Sequence, residues 1–157
     1  MDDLKKLEHA KEVYTTLCSA LDDRNWKYEK DEDKLLVHFS VSGDDLPMRF
    51  VMVVDADRQL VRLLSQLPVV FGEDKRMDGA IACCAVTNKL ANGSFDYDFA
   101  TGKVVFRMTQ TIRGSSIGPE LLNYMVNCSA VTVDNYNDKL FAISKGFLDV
   151  TDFLAGK

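Results

Sequence analysis

The sequence predicts an α+β fold: an antiparallel β-sheet, built as a meander plus a hairpin, flanked by helices. Three observations predict it. Residues 26–67 fall into four short strand-like runs separated by polar turns, the first two alternating apolar and polar side chains, the period of half-buried strands. Residues 94–109 repeat that pattern across a short loop containing Gly102, which is a hairpin signal. Amphipathic helical patterns precede the first set of strands, separate it from the hairpin and follow the hairpin.

The first helix opens at Asp2 and Asp3. Leu4, Leu7, Tyr14, Leu17, Cys18 and Leu21 fall at three- and four-residue steps, and Lys5, Lys6, Glu8, Lys11 and Glu12 occupy the other face up to a stop near Asp22-Asp23-Arg24. Trp26, Tyr28 and Lys30 then alternate with Lys27 and Glu29 in a short strand. Leu35, Val37, Phe39 and Val41 form one face of the next, RFVMVVD the third and QLVRLLSQL the fourth. Short turns between consecutive strands favour antiparallel neighbours. Pro68 and Gly72 break the pattern, and Glu73 and Asp74 supply negative charge where a helix N-terminus favours it.

Residues 77–91 form the central helix, dense in Gly79, Ala80, Ala82, Cys83, Cys84 and Ala85, so another backbone can approach it closely. In the hairpin, Phe95, Tyr97 and Phe99 alternate with Ser94, Asp96 and Asp98; Val104, Phe106 and Met108 alternate with Val105, Arg107 and Thr109. After Ser115 and Ser116, read as a helix entry, Pro119 suits a first helical turn. Leu121, Leu122, Met125 and Val126 line one helix, a break is expected near Cys128-Ser129, and Val133, Tyr136, Leu140 and Ile143 line a last helix ending at Gly146. The tail, 147–157, carries no assignable pattern. No repeat or linker divides residues 1–157, which read as a single domain.

Composition bounds the function. A chain of 157 residues buries about 70% of its unfolded surface without a disulfide or metal. Its formal net charge of −5 argues against a nucleic-acid partner, which needs a basic face. The start is charged throughout, and no apolar run approaches a membrane span, so a cytoplasmic protein without membrane insertion is expected. The four cysteines, at 18, 83, 84 and 128, lack zinc or redox-motif spacing and read as buried apolar residues.

The junction TNKLANGSFDYD at 87–98, its continuation GKVVFR at 102–107, and the segment 121–146 with Asp134, Tyr136 and Lys145-Gly146 resemble the type III secretion chaperone-like fold. Within that fold the chain is most similar to the YbjN family, bacterial proteins labelled sensory transduction regulators. The resemblance covers the last half of the chain, and the first half shares only the element order. It implies a protein-binding module, homodimeric, that holds extended client segments by strand addition and side-chain pockets. It implies no catalytic residues.

The remaining motifs are better explained structurally. The carboxylate pairs Asp55/Asp57 and Asp96/Asp98 bring too few oxygens for a hard cation. His9 and His38 are distant from each other and from any cysteine cluster, so no metal site or general-base dyad is expected. The Gly102-Lys103 pair lacks the upstream glycine of a phosphate loop. Adjacent cysteines on a helix point roughly 100° apart and do not readily bond to each other. No catalytic residue, cofactor or metal is therefore expected.

Two surfaces stand out. The central helix is the candidate dimer surface, through Ala80, Cys83, Cys84 and Thr87. If the apolar strand faces pack on the helices, His38, Arg49, Arg62, Asp96, Asp98 and Arg107 share the opposite face, a candidate partner or ligand surface; its plain alternative is a solvated face with cross-strand pairs. The expected function is a non-enzymatic, chaperone-like or regulatory module binding a protein or peptide client. The alternative is a small-ligand sensor using Arg49, Arg62 and Arg107.

Overall fold

A computed structural model describes residues 2–156. Helix α1 (Asp3–Asp23) starts where the Asp2 carboxylate accepts the Lys5 amide at 2.8 Å, satisfying one orphan donor of the first turn. It buries Ala10, Val13, Tyr14, Leu17, Ala20 and Leu21. Leu4 and Leu7 stay exposed, so the core stripe begins two turns later than the spacing suggested.

Strands β1 (Glu29–Asp31), β2 (Leu36–Val41), β3 (Met48–Asp55) and β4 (Leu60–Val70) form the antiparallel meander, and β5 (Ser94–Asp98) with β6 (Lys103–Thr111) form the hairpin. The hairpin joins through β6, giving one six-stranded sheet in the order β1-β2-β3-β4-β6-β5, antiparallel throughout. The fold class read from the sequence is thus observed.

Several boundaries differ from the expectation. Strand β1 starts only at Glu29; the Trp26 ring instead rests on Phe39, 5.4 Å between centroids. Leu35 lies outside β2 at φ 51°, closing a turn, although its side chain is buried. Pro68 does not end β4, which runs to Val70. The proline falls inside the register shift between Gln66 and Val70, where a missing N–H breaks no regular ladder.

A 3-10 turn (Glu73–Lys75) leads into α2 (Arg76–Thr87), shorter than the 77–91 pattern. The expected break at Cys128-Ser129 is absent: α3 runs unbroken over Pro119–Ser144, because Ser129 is fully buried with its hydroxyl 3.9 Å from the Met108 sulfur. Its N-cap is Gly118, so Ser115 and Ser116 precede the helix entry. The tail forms a short helix, α4 (Val150–Leu154), capped by Asp149.

Helices α1, α2 and α3 pack on one face of the sheet. Phe39, Phe50, Met52, Leu63, Phe106 and Met108 are buried there with Leu17, Val86, Leu122 and Leu140 in one continuous core. The β5–β6 turn docks on the end of β4: the Gly102 carbonyl accepts the Phe71 amide at 2.9 Å, and a Cβ at Gly102 would overlap the Phe71 carbonyl. With φ at +75°, this position requires glycine twice over. The loop before β3 is held to α3 by the Asp44 amide, which donates to Asp134 at 3.0 Å.

Candidate functional site: the outer face of the sheet

Because strand side chains alternate, burying one set on the helices turns the other set outward. Register makes the outer face explicit. One row crosses all six strands as Glu29, His38, Val51, Leu64, Arg107 and Ser94. A neighbouring row runs Asp31, Leu36, Val53, Arg62 and Thr109. On the other side Ser40 pairs with Arg49, and Gln66, Val105 and Asp96 continue across the far strands.

The predicted residues His38, Arg49, Arg62, Asp96 and Arg107 therefore do share one face. Asp98 ends β5 at its rim and serves the turn: its carboxylate accepts the Ala100 amide at 3.0 Å. Hydrogen bonds from Thr101 and from Ala100 hold its pKa below the ordinary carboxylate value.

The centre of the face is apolar, which a search for polar residues misses. Leu36, Val51, Val53, Leu64 and Val105 are half-buried in the sheet's own surface. The signal was present: MRFVMVVD and LVRLL are apolar at both strand parities, a pattern that places apolar side chains on both faces.

Charge flanks this centre unevenly. Arg107 Nε lies 2.8 Å from Asp96 Oδ2, and the other oxygen of that carboxylate accepts the Ser94 hydroxyl at 2.7 Å. Arg62 reaches Asp55 at 3.8 Å, and His38 reaches Glu29 at 3.3 Å. Among the described residues Arg49 and Lys27 have no ion-pair partner. Both line an open groove of about 620 Å³ with Glu29, His38, Ser40 and Val51.

The candidate dimer helix divides differently. Cys83 is buried at 1% exposure, and burial pushes its thiol up to about 12, so it belongs to the core and not to a surface. Ala80 is half-exposed and Cys84 exposed; the Thr87 hydroxyl accepts the Phe95 amide at 3.0 Å, capping the edge strand β5. Met77 and Ile81, which the small-residue reading passed over, form an exposed stripe with Cys84 at spacings of four and three.

The two histidines stay apart: His9 is half-buried, its Nε2 2.8 Å from the Ile112 carbonyl. The Asp55 carboxylate accepts the Arg58 amide at 2.9 Å, a turn role. Among the described residues, no three His, Cys, Asp or Glu side chains are grouped to hold a metal, and no helix is long and apolar enough to cross a membrane.

No family model and no curated protein sequence matches the chain. Two solved structures are similar in shape. One is a chain of the HopA1-SchA chaperone-effector complex, at TM-score 0.48 and 12% identity over 99% of this chain and 97% of that one. The other is a chain of the ExsC-ExsE complex, at TM-score 0.48 and 14% identity over 80% of this chain and 92% of that one. At that distance neither likeness carries a partner or an activity to this chain.

Proposed function

We propose that this chain is a non-enzymatic, cytoplasmic protein-binding module of chaperone-like type, which receives an extended client segment on the outer face of its sheet. One observation carries the reading: the face spans six strands, lies opposite the packed helices, and sets an apolar centre between charged margins. An apolar area rimmed by charge is the makeup of an interaction surface. A chaperone and a regulator of the YbjN kind would use the same surface and differ in the fate of the client.

The test is photo-crosslinking in cells from a probe at Gln66, on the outer face, against one at Glu12, on the solvent side of α1. Adducts with other polypeptides from Gln66, absent from Glu12 and lost with Leu64→Glu, are expected. Equal adducts from both positions would sink the reading. The small-ligand alternative has less support, since Arg62 and Arg107 already face carboxylates and the groove beside Arg49 is open.

The homodimer belongs to the same proposal, with α2 as its surface through Met77, Ile81 and Cys84 and with Ala80 at the margin. Phe99, 54% exposed, lies at the start of α2, where its carbonyl accepts from Arg76. Light scattering should give twice 17.6 kDa for the native chain and one copy for Ile81→Glu. A native monomer, or a dimer unmoved by the substitution, removes α2 from this role.

A further inference from the structure

Of the three arginines on the outer face, two are matched and one is not. Arg107 and Arg62 each face a carboxylate, so these two charges are compensated within the protein. Arg49 stands opposite Ser40 with no carboxylate within 4 Å, and Lys27 joins it along the groove, which Glu29 also lines. Two cations without ion-pair partners against the single carboxylate of Glu29 leave the groove locally positive in a chain of net charge −5, which favours a negative group there. The groove runs directly onto Val51, two residues along β3 from Arg49 and paired with Leu64.

We propose that this groove is an acidic-residue receptor: it takes an Asp or Glu side chain of an extended partner segment, with an apolar side chain two positions along seated on Val51 and Leu64. The inference rests on the outer face being the client surface, and it specifies what the client carries there. The spacing follows from strand geometry. Side chains at i and i+2 of an extended chain point the same way about 6.6 Å apart, the same repeat that separates Arg49 from Val51. The guanidinium offers a planar fork that a carboxylate can engage with two hydrogen bonds, and the Ser40 hydroxyl beside it can donate a third. At the opposite margin Asp96 already fills this role toward Arg107, so an acidic residue gains nothing there.

The experiment uses the intact protein, carrying the crosslinker at Gln66, and a set of synthetic nine-residue peptides. One position is Asp, Glu, Asn, Gln or Lys, and the position two along is Val, Leu or Ser. Binding is read by fluorescence polarisation, and placement by crosslinking. Peptides with Asp or Glu followed two along by Val or Leu should bind about fivefold more tightly than their amide counterparts. The preference should shrink in high salt, vanish in Arg49→Gln and survive in Arg107→Gln.

Peptides that crosslink at Gln66 with no acidic preference, or with one that Arg49→Gln leaves intact, overturn the receptor while leaving the outer-face reading in place. Failure of every peptide to crosslink at Gln66 overturns both. Inorganic phosphate is the control anion. A thermal shift from phosphate that needs Arg49, without any acidic preference among the peptides, would make the site a small-anion site and overturn the peptide assignment.

Discussion

The Tyr97 hydroxyl donates to the Arg76 carbonyl at 2.7 Å, reaching from the hairpin to the first turn of α2. It can do so because Gly79 leaves the space: a Cβ there would sit 2.6 Å from the Phe71 ring and 2.7 Å from that hydroxyl. Arg76 completes the tie, donating to the carbonyls of Phe71, Phe99 and Ala100. A helix normally gains about 1 kcal/mol from glycine to alanine. Here Gly79→Ala should instead lower stability by about 1–3 kcal/mol through overpacking, and Tyr97→Phe by about 1 kcal/mol through the lost hydrogen bond. Urea denaturation measures both, and a more stable Gly79→Ala would show that α2 is free to shift on the hairpin.

The cysteines provide a second check. Cys84 is exposed, whereas Cys83, its neighbour, is buried with its thiol pushed up to about 12 by desolvation. Only the thiolate reacts. Native protein at pH 8 should alkylate at Cys84 first and at Cys83 only after unfolding, as read by peptide mass spectrometry. Early labelling of Cys83 would mean that α2 opens from the sheet. If α2 is a dimer surface, dilution should speed Cys84 labelling as well.

Much of this architecture was legible in the chain, and the misreadings share a cause. Period-two alternation located β2, β5 and β6 because one face of each is buried, and β3, apolar at both parities, was marked by the polar turns on either side of it. Local rules failed where tertiary contacts outweighed them. Pro68 is accommodated by a register shift that a single strand's sequence does not display, and Ser129 stays helical because Met108 packs over it. The polar members of the outer face followed from alternation alone. Which of them are compensated did not, since the Asp96–Arg107 contact is diagonal between strands and depends on side-chain conformation.

Alkaline pH supplies a third prediction. Burial raises Tyr14, Tyr28 and Tyr97 above the ordinary tyrosine value of 10.0, and the hydroxyls of Tyr14 and Tyr28 donate to the Leu36 carbonyl and the Asp22 carboxylate. A group whose folded pKa is raised contributes stability that is complete below the unfolded value and lost as pH rises toward the folded one. The midpoint of thermal unfolding should therefore be level with respect to these tyrosines below pH 10 and fall above it. Tyr14→Phe should be less stable at pH 8 yet lose less on going to pH 11. An identical alkaline slope in that variant would remove Tyr14 as a source.

The last prediction concerns Asn137, which α3 places in the core at 0% exposure with neither its Nδ2 nor its Oδ1 hydrogen-bonded within the protein. Leu140 and Val133 lie one turn away on the same buried stripe, so the position is one where an apolar side chain is expected. A buried amide with no partner costs about 1–3 kcal/mol of desolvation. Removing it leaves a small void, worth less than the amide's burden, and alanine also favours the helix. Asn137→Ala should raise the free energy of unfolding by about 1 kcal/mol, measured in urea with an unchanged slope. A fall of similar size would show that the amide is bonded to buried water, making Asn137 a structural anchor between α3 and its neighbours.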